Sequence, residues 1–264
     1  MNHLNLSRGM RSAAKLGEAL KERGYLVSVE GDQLMFAAGN GERDYADVRR
    51  LLEEAGMPVL YAASRMQILS PVLPMEVLRR VRSQRVEYGR AYIPERFHTW
   101  KAFAKRNHGV RWDSLSLDRG IAYLAKTMSE AGILVTGGCD GHGKHAPKVY
   151  LASDWAAAWM AVVMEEFLER DELYYRWEIK PMANGSPQLT AVLGEGQRWM
   201  TGAVRADGVV IGEQLRKLAP MLRKLRRDRF KYRSMRSTAE ALKGDHDALL
   251  AWMTALVKGG AGHV

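Results

Sequence analysis

Apolar positions along the chain recur with two different periods, and the switches between them divide it into elements. Residues 10–24 are rich in Ala, Leu, Lys and Glu and end at Gly24, which predicts a helix. Tyr25 to Glu30 alternates between apolar and polar, and Gly31-Asp32 then offers a two-residue turn into a second strand, Gln33 to Ala38. Asp44 to Ala55 reads as another helix, with Val48, Leu51 and Leu52 on one side and Gly56 after it. Short strands follow at Val59 to Ala62 and Met66 to Leu69, and Pro71 and Pro74 mark a boundary.

From Met75 to Arg111 the pattern is of short helices joined at Gly89, Pro94 and Gly109. Leu117, Ile121, Leu124 and Met128 then share a helical face that Gly132 closes. Strands are expected at Ile133 to Thr136 and Lys148 to Ala152, on either side of a glycine-rich loop. Ser153 can cap a helix carrying Trp155, Trp159, Val162, Val163 and Phe167 inward. Leu173 to Ile179 alternates, and Ala183-Asn184-Gly185-Ser186-Pro187 leads to a partner strand at Leu189 to Leu193. A third strand is expected from Trp199 to Val204, turning at Ala206-Asp207-Gly208 into Val209 to Ile211. The rest, from about Gly212 to Leu256, reads as helical with interruptions near Pro220 and Gly244.

These elements imply a mixed α/β protein of the α+β class. A small N-terminal α/β unit comes first, then helices packed on a largely antiparallel sheet, then a helical C-terminus. The expected divisions are 1–72 for the N-terminal unit, 73–113 for a basic helical connector and 114–264 for the C-terminal α+β domain.

Composition narrows the class. Of 264 residues, 47% are hydrophobic and 27% charged, which suits a folded chain and not a disordered one. The longest apolar run, Trp155 to Met164, is too short to cross a bilayer, so no membrane partner is expected. Arg8, Arg11 and Lys15 are not followed by a sustained apolar stretch, and Cys139 is the only cysteine, so a reducing, cytoplasmic location is expected.

Charge changes the picture more. The net charge is +10, but it is concentrated. Ten Lys/Arg between Arg79 and Arg111 face two acids, and ten between Arg216 and Arg236 face Asp228 alone. In the second segment Leu215, Leu218, Leu222 and Leu225 form a stripe, continued by Tyr232, that can dock on the domain. The arginines and lysines occupy the other faces. Arginine predominates, which favours bidentate contact with phosphate or carboxylate. Arg216, Lys217, Arg223, Lys224, Arg226, Arg227, Arg229, Lys231 and Arg233 are the first candidate contacts. Arg79, Arg80, Arg82, Arg85, Arg90, Lys101, Lys105 and Arg106 form a second set. Tyr88, Tyr92, Phe97, Trp100, Phe103 and Trp112 lie among the latter, a mixture used for stacking single strands, although Trp100 and Phe103 at helical spacing also suit a core.

The loop Gly137-Gly138-Cys139-Asp140-Gly141-His142-Gly143-Lys144-His145-Ala146-Pro147 is the most unusual local sequence. Gly138 to Lys144 matches the glycine and lysine spacing of a phosphate loop. His145 stands where Ser or Thr should hold magnesium, however, and a strand follows where a helix is needed. Cys139, His142 and His145 make a zinc-type trio beside Asp140, with a fourth ligand to come from His98, His108, His246 or a remote carboxylate. Cys139 with either histidine is also a candidate nucleophile and base. The plain reading is a tight turn whose glycines supply positive φ angles, with Lys144 on a binding surface.

No metalloprotease, serine-hydrolase, dinucleotide-binding or kinase motif is present. The expected function is that of a basic, non-enzymatic protein associated with nucleic acid, needing no cofactor. One alternative is a phage or mobile-element protein that inhibits a host DNA-handling or defence protein by binding its acidic surface. Another is a metal-dependent enzyme, with zinc on the Cys139–His145 loop. Glu165, Glu166, Glu169, Asp171 and Glu172 could neutralise a basic helix within the chain or, between subunits, give a homo-oligomer.

Overall fold

The computed structural model describes residues 3–87, 93–180 and 186–259, with side chains from residue 11 onward. Tyr88, Arg90, Tyr92 and the Ala183-Asn184-Gly185 part of the expected loop lie outside the described residues.

The N-terminal elements are α1 (His3–Arg23), β1 (Val27–Glu30), β2 (Gln33–Phe36), α2 (Asp44–Glu54), β3 (Val59–Ala62) and β4 (Arg65–Ile68). Glu30 pairs with Gln33 across the expected Gly31-Asp32 turn, and Ala62 pairs with Arg65 in a second hairpin. β2 and β4 join the hairpins into one antiparallel sheet, ordered β1-β2-β4-β3. Leu16, Leu20 and Leu34 from α1 and the sheet meet Val48 and Leu52 of α2 in a first hydrophobic core. Each such side chain contributes about 1.5–3 kcal/mol by leaving water. The next helix, α3 (Met75–Ser83), adds Val77, Leu78 and Val81 to the same core. The 73–113 stretch is thus shared, because α4 (Trp100–Lys105) puts Trp100 and Phe103 into the other core.

That second core surrounds α6 (Asp154–Glu166), whose residues from Trp155 to Met164 are all buried, as an all-round apolar helix requires. Over it lies an antiparallel sheet ordered β5-β6-β8-β7, made of β5 (Val135–Cys139), β6 (Lys148–Leu151), β7 (Arg176–Lys180) and β8 (Gln188–Val192). α5 (Ala122–Glu130), α7 (Thr201–Phe230), α8 (Arg233–Ala241) and α9 (His246–Lys258) complete the unit. Trp100, Trp155, Trp159, Phe230 and Trp252 form a connected aromatic cluster, with ring centroids 5.4–6.2 Å apart. The chain is therefore a mixed α+β protein, with two four-stranded antiparallel sheets and a helical C-terminus among the described residues.

One segment departs from its sequence pattern. The expected third strand and its turn, Trp199 to Ile211, are instead mostly the start of α7, which runs without a break from Thr201 to Phe230. The glycines and valines there read as strand and turn because their local propensity is poor for a helix. Tertiary packing overrides it. A Cβ on Gly212 would meet the Tyr123 ring at 2.6 Å, and one on Gly208 would meet the Gly120 carbonyl at 3.1 Å, so α7 can approach α5 only where side chains are absent. Asp207, placed in the expected turn, is buried and accepts hydrogen bonds from Tyr174 N (2.7 Å), Tyr175 N (2.9 Å) and Trp177 Nε1 (2.9 Å). This carboxylate takes the backbone donors just before Arg176, where the expected strand would have begun at Leu173.

Pro220 lies inside α7 and does not divide it. Leu215, Ala219 and Leu222 are buried against the second core on both sides of the proline and hold the adjoining turns in line. Tyr232 does not continue the leucine stripe; Phe230 takes the buried position and Tyr232 is 55% exposed. No helix among the described residues is long and apolar enough to cross a membrane.

Candidate functional site

The two basic segments meet. A cleft of about 480 Å³ opens between the N-terminal unit, the 107–111 stretch, the C-terminal end of α5 and the middle of α7. Arg111 closes the first basic segment and lines this cleft with His108; Arg223 and Arg227 of the second segment face them. Arg111 and Arg227 are exposed, and Glu130 is the one acid on the wall among the described residues. Arg223 is half-buried and donates from Nη1 to the Glu130 carbonyl at 2.8 Å, so it also caps the last turn of α5.

Arg226 was expected on the surface and lies wholly inside. Its Nη1 donates to the Gly132 carbonyl at 2.7 Å, and its Nη2 to the Arg106 carbonyl. Burial, with Arg106, Arg223 and Arg227 nearby, pushes its pKa down to about 9. Arg106 is half-buried: it donates from Nε to the Ala102 carbonyl at 3.0 Å and from Nη2 to the Phe97 carbonyl, and burial lowers it to about 10. Both arginines satisfy backbone carbonyls at element ends, a use of arginine that charge counting cannot separate from a binding surface.

Other candidates are partly committed. Arg216 pairs with Glu130 (3.4 Å) and donates to the Val27 carbonyl (3.2 Å) of the N-terminal unit. Arg82 pairs with Glu22 at 3.0 Å, and Arg79 and Arg80 pair with Glu76 along α3. Lys217, Lys224, Arg227, Lys231 and Arg233 are exposed and make no ion pair among the described residues; Arg229 is half-buried. Lys217 and Lys224 lie seven residues apart and therefore share a face of α7, with Arg227 beside them and Lys231 following at the C-cap. Arg85, Lys101 and Lys105 are exposed elsewhere on the first segment. Trp100, Phe103 and Trp112 belong to the second core and are not stacking platforms. Tyr232, between Lys231 and Arg233, is the exposed ring near the basic face, with Lys231 Nζ 5.2 Å from its centroid. Pairing of the acidic stretch with the basic helix, one of the alternatives that the charge pattern offers, is not seen among the described residues; Glu166 pairs with Lys258 on α9 at 2.6 Å.

The glycine-rich loop joins β5 to β6 as an antiparallel connection. No helix starts after Lys144, so the phosphate-loop geometry is absent there, and Lys144 is exposed. A short 3-10 turn at Gly141–Gly143 holds His142 at φ 50°, the one non-glycine residue in the left-handed region among the described residues. Its backbone N donates to Asp140 Oδ1 at 3.0 Å. Cys139 and His142 come together, with Sγ to Nε2 at 3.6 Å, whereas His145 points into solvent and takes no part.

Asp118, from the turn before α5, and Asp140 complete the group, whose four ligand atoms lie within 4.8 Å of one another. Asp118 Oδ2 is 3.6 Å from His142 Nε2 and accepts from Asp140 N at 3.2 Å. Asp140 Oδ1 is 3.2 Å from His142 Nδ1. Gly120 permits the approach: its N donates to Asp140 Oδ2 at 3.1 Å, and a Cβ there would lie 2.6 Å from Asp140 Cβ. Burial pushes the Cys139 thiol up, against a hydrogen bond from Gly141 N that pulls it down, and the neighbouring carboxylates add to the rise. Asp118 lies 21 positions before Cys139, and no spacing rule connects the two. Comparison with protein-family models, with curated proteins and with solved structures finds no match for this chain.

Proposed function

We propose that the protein binds nucleic acid, with the phosphate backbone held in the arginine-lined cleft and along the exposed face of α7. The observation that carries this reading is the convergence of Arg111, Arg223 and Arg227 from segments far apart in sequence on one cleft of about 480 Å³. The fold keeps like charges adjacent here although Glu130 is the only acid on the wall among the described residues, an arrangement that is favourable when an anion lies between them. Lys217, Lys224 and Lys231 extend the positive face along the helix, and Tyr232 offers a ring for a base to stack on. Arg226 and Arg106 take no direct part, since both are occupied with backbone carbonyls.

The test is a salt titration of binding to mixed single- and double-stranded DNA. With about six phosphate contacts, log affinity should fall with log salt at a slope near −4 to −5. An Arg111→Glu/Arg227→Glu variant should bind more weakly to all sequences alike and reduce the slope by about 1.5–2. Negligible binding at low salt, or an unchanged slope in the double variant, would overturn the assignment. In that event the same arginines would point to an acidic protein surface, to be sought by affinity capture.

A further inference from the structure

We propose that Asp118, Cys139 and His142 form a site for a divalent ion of the zinc type, with Asp140 orienting the histidine from behind. Four-coordinate zinc, with bonds of about 2.0 Å to nitrogen or oxygen and about 2.3 Å to sulfur, sets neighbouring donors about 3.3–3.6 Å apart. The separations Cys139 Sγ to His142 Nε2 and His142 Nε2 to Asp118 Oδ2 are both 3.6 Å. Two of the three donor separations are therefore close to coordination spacing, and all the donor atoms lie within 4.8 Å of one another.

The other histidine nitrogen completes the argument. Asp140 Oδ1 lies 3.2 Å from Nδ1, which places a carboxylate behind the ring while Nε2 sits on the side of Asp118 and Cys139. Asp140 is itself held by Gly120 N at 3.1 Å, so the carboxylate that fixes the ring is fixed in turn. A carboxylate behind a ligating imidazole is the usual outer support of a metal site. A thiolate, an imidazole and a carboxylate together suit zinc or cobalt(II) and not calcium or magnesium, which take oxygen donors. Asp118 is buried, while the His142 side chain is 57% exposed, so the fourth position opens to water from the histidine side. The trio differs from the Cys139, His142 and His145 set that spacing suggests: Asp118 replaces His145.

The experiment is titration of the purified full chain with cobalt(II), followed by absorption. The expected result is one equivalent bound, with a thiolate-to-cobalt band in the near ultraviolet and the visible bands of a four-coordinate ion. Cys139→Ala should abolish the near-ultraviolet band and weaken binding at least tenfold. His142→Asn, which tolerates the left-handed backbone, should weaken binding comparably. Asp140→Asn should weaken it about 10–100-fold. His145→Ala should leave both spectrum and affinity unchanged. Circular dichroism of each variant separates loss of the site from loss of the fold. Absence of stoichiometric binding by the folded parent, binding without the thiolate band, or dependence on His145 would each overturn the proposal.

Discussion

Lys126 on α5 and Asp44 at the start of α2 form an ion pair in which neither side chain is exposed at all, and it lies between the two hydrophobic cores. Lys126 Nζ also donates to Ser114 Oγ (2.7 Å) and Asn40 Oδ1 (2.8 Å), while Asp44 accepts from Ser114 N (2.7 Å) and Gly41 N (3.0 Å). Burial holds the Lys126 pKa below the ordinary lysine value, against the opposing pull of Asp44. This network ties the N-terminal unit to α5, the helix on which the cleft is built.

Removing one member of that pair should therefore cost more than an ordinary surface ion pair. Lys126→Met and Asp44→Asn should each destabilise the protein by about 3–5 kcal/mol, because the remaining group is left buried without its partner. The double variant should lose less than the sum of the two. Urea unfolding of all four proteins measures this, and strict additivity would show that the two side chains do not act as a pair.

Asp207→Ala should cost about 3–5 kcal/mol, since three donors, at Tyr174, Tyr175 and Trp177, lose their acceptor inside the protein. Trp177 is buried, so its fluorescence should also shift to the red in the native state. A stability loss without a spectral change would mean that β7 keeps its position by strand pairing alone.

Two glycines in the same helix should respond in opposite ways. Gly212→Ala should be clearly destabilising, because the new methyl meets the Tyr123 ring and Thr127 Oγ1 where α7 crosses α5. Gly202→Ala meets nothing within 4 Å and should be neutral or stabilising by up to about 1 kcal/mol through helix propensity. Thermal unfolding of the pair tests whether close packing, and not local preference, sets the path of α7.

Acid should weaken the contact between α1 and α7 through Glu213. Burial alone would raise its pKa, but hydrogen bonds from Tyr123 and Lys21 and the charges of Lys21 and Arg216 bring it below the usual 4.5. A carboxylate depressed in the folded state contributes stability above its unfolded pKa and loses it as pH falls through the folded value. Glu213→Gln should therefore cost about 1 kcal/mol or less at pH 7, because the group is one-third exposed, and almost nothing at pH 3. Urea unfolding at the two pH values checks the difference.

The parts of the fold that the sequence made legible are those set by local chemistry. The Gly31-Asp32 hairpin, the α2 stripe of Val48, Leu51 and Leu52, the Ser153 cap and the buried α6 all follow from periodicity and from residues with one strong conformational preference. The concentration of positive charge could likewise be read from the chain itself.

Tertiary structure decided what those elements and charges are used for. Trp199 to Ile211 has the composition of strand and turn, and the segment from Thr201 onward becomes helix because α5 accepts only a smooth surface there. Arg226 and Arg227 are adjacent and chemically identical; one is buried on the carbonyls at the end of α5 and the other lines the cleft, a difference set by 100° of helix rotation. Cys139 meets Asp118 and not His145 because β5 and the turn before α5 are brought side by side, with Gly120 allowing the contact. Local preferences act over a few residues and are written in order along the chain. The placing of a charge inside or outside, or of a ligand beside another, depends on packing between segments that the sequence keeps apart.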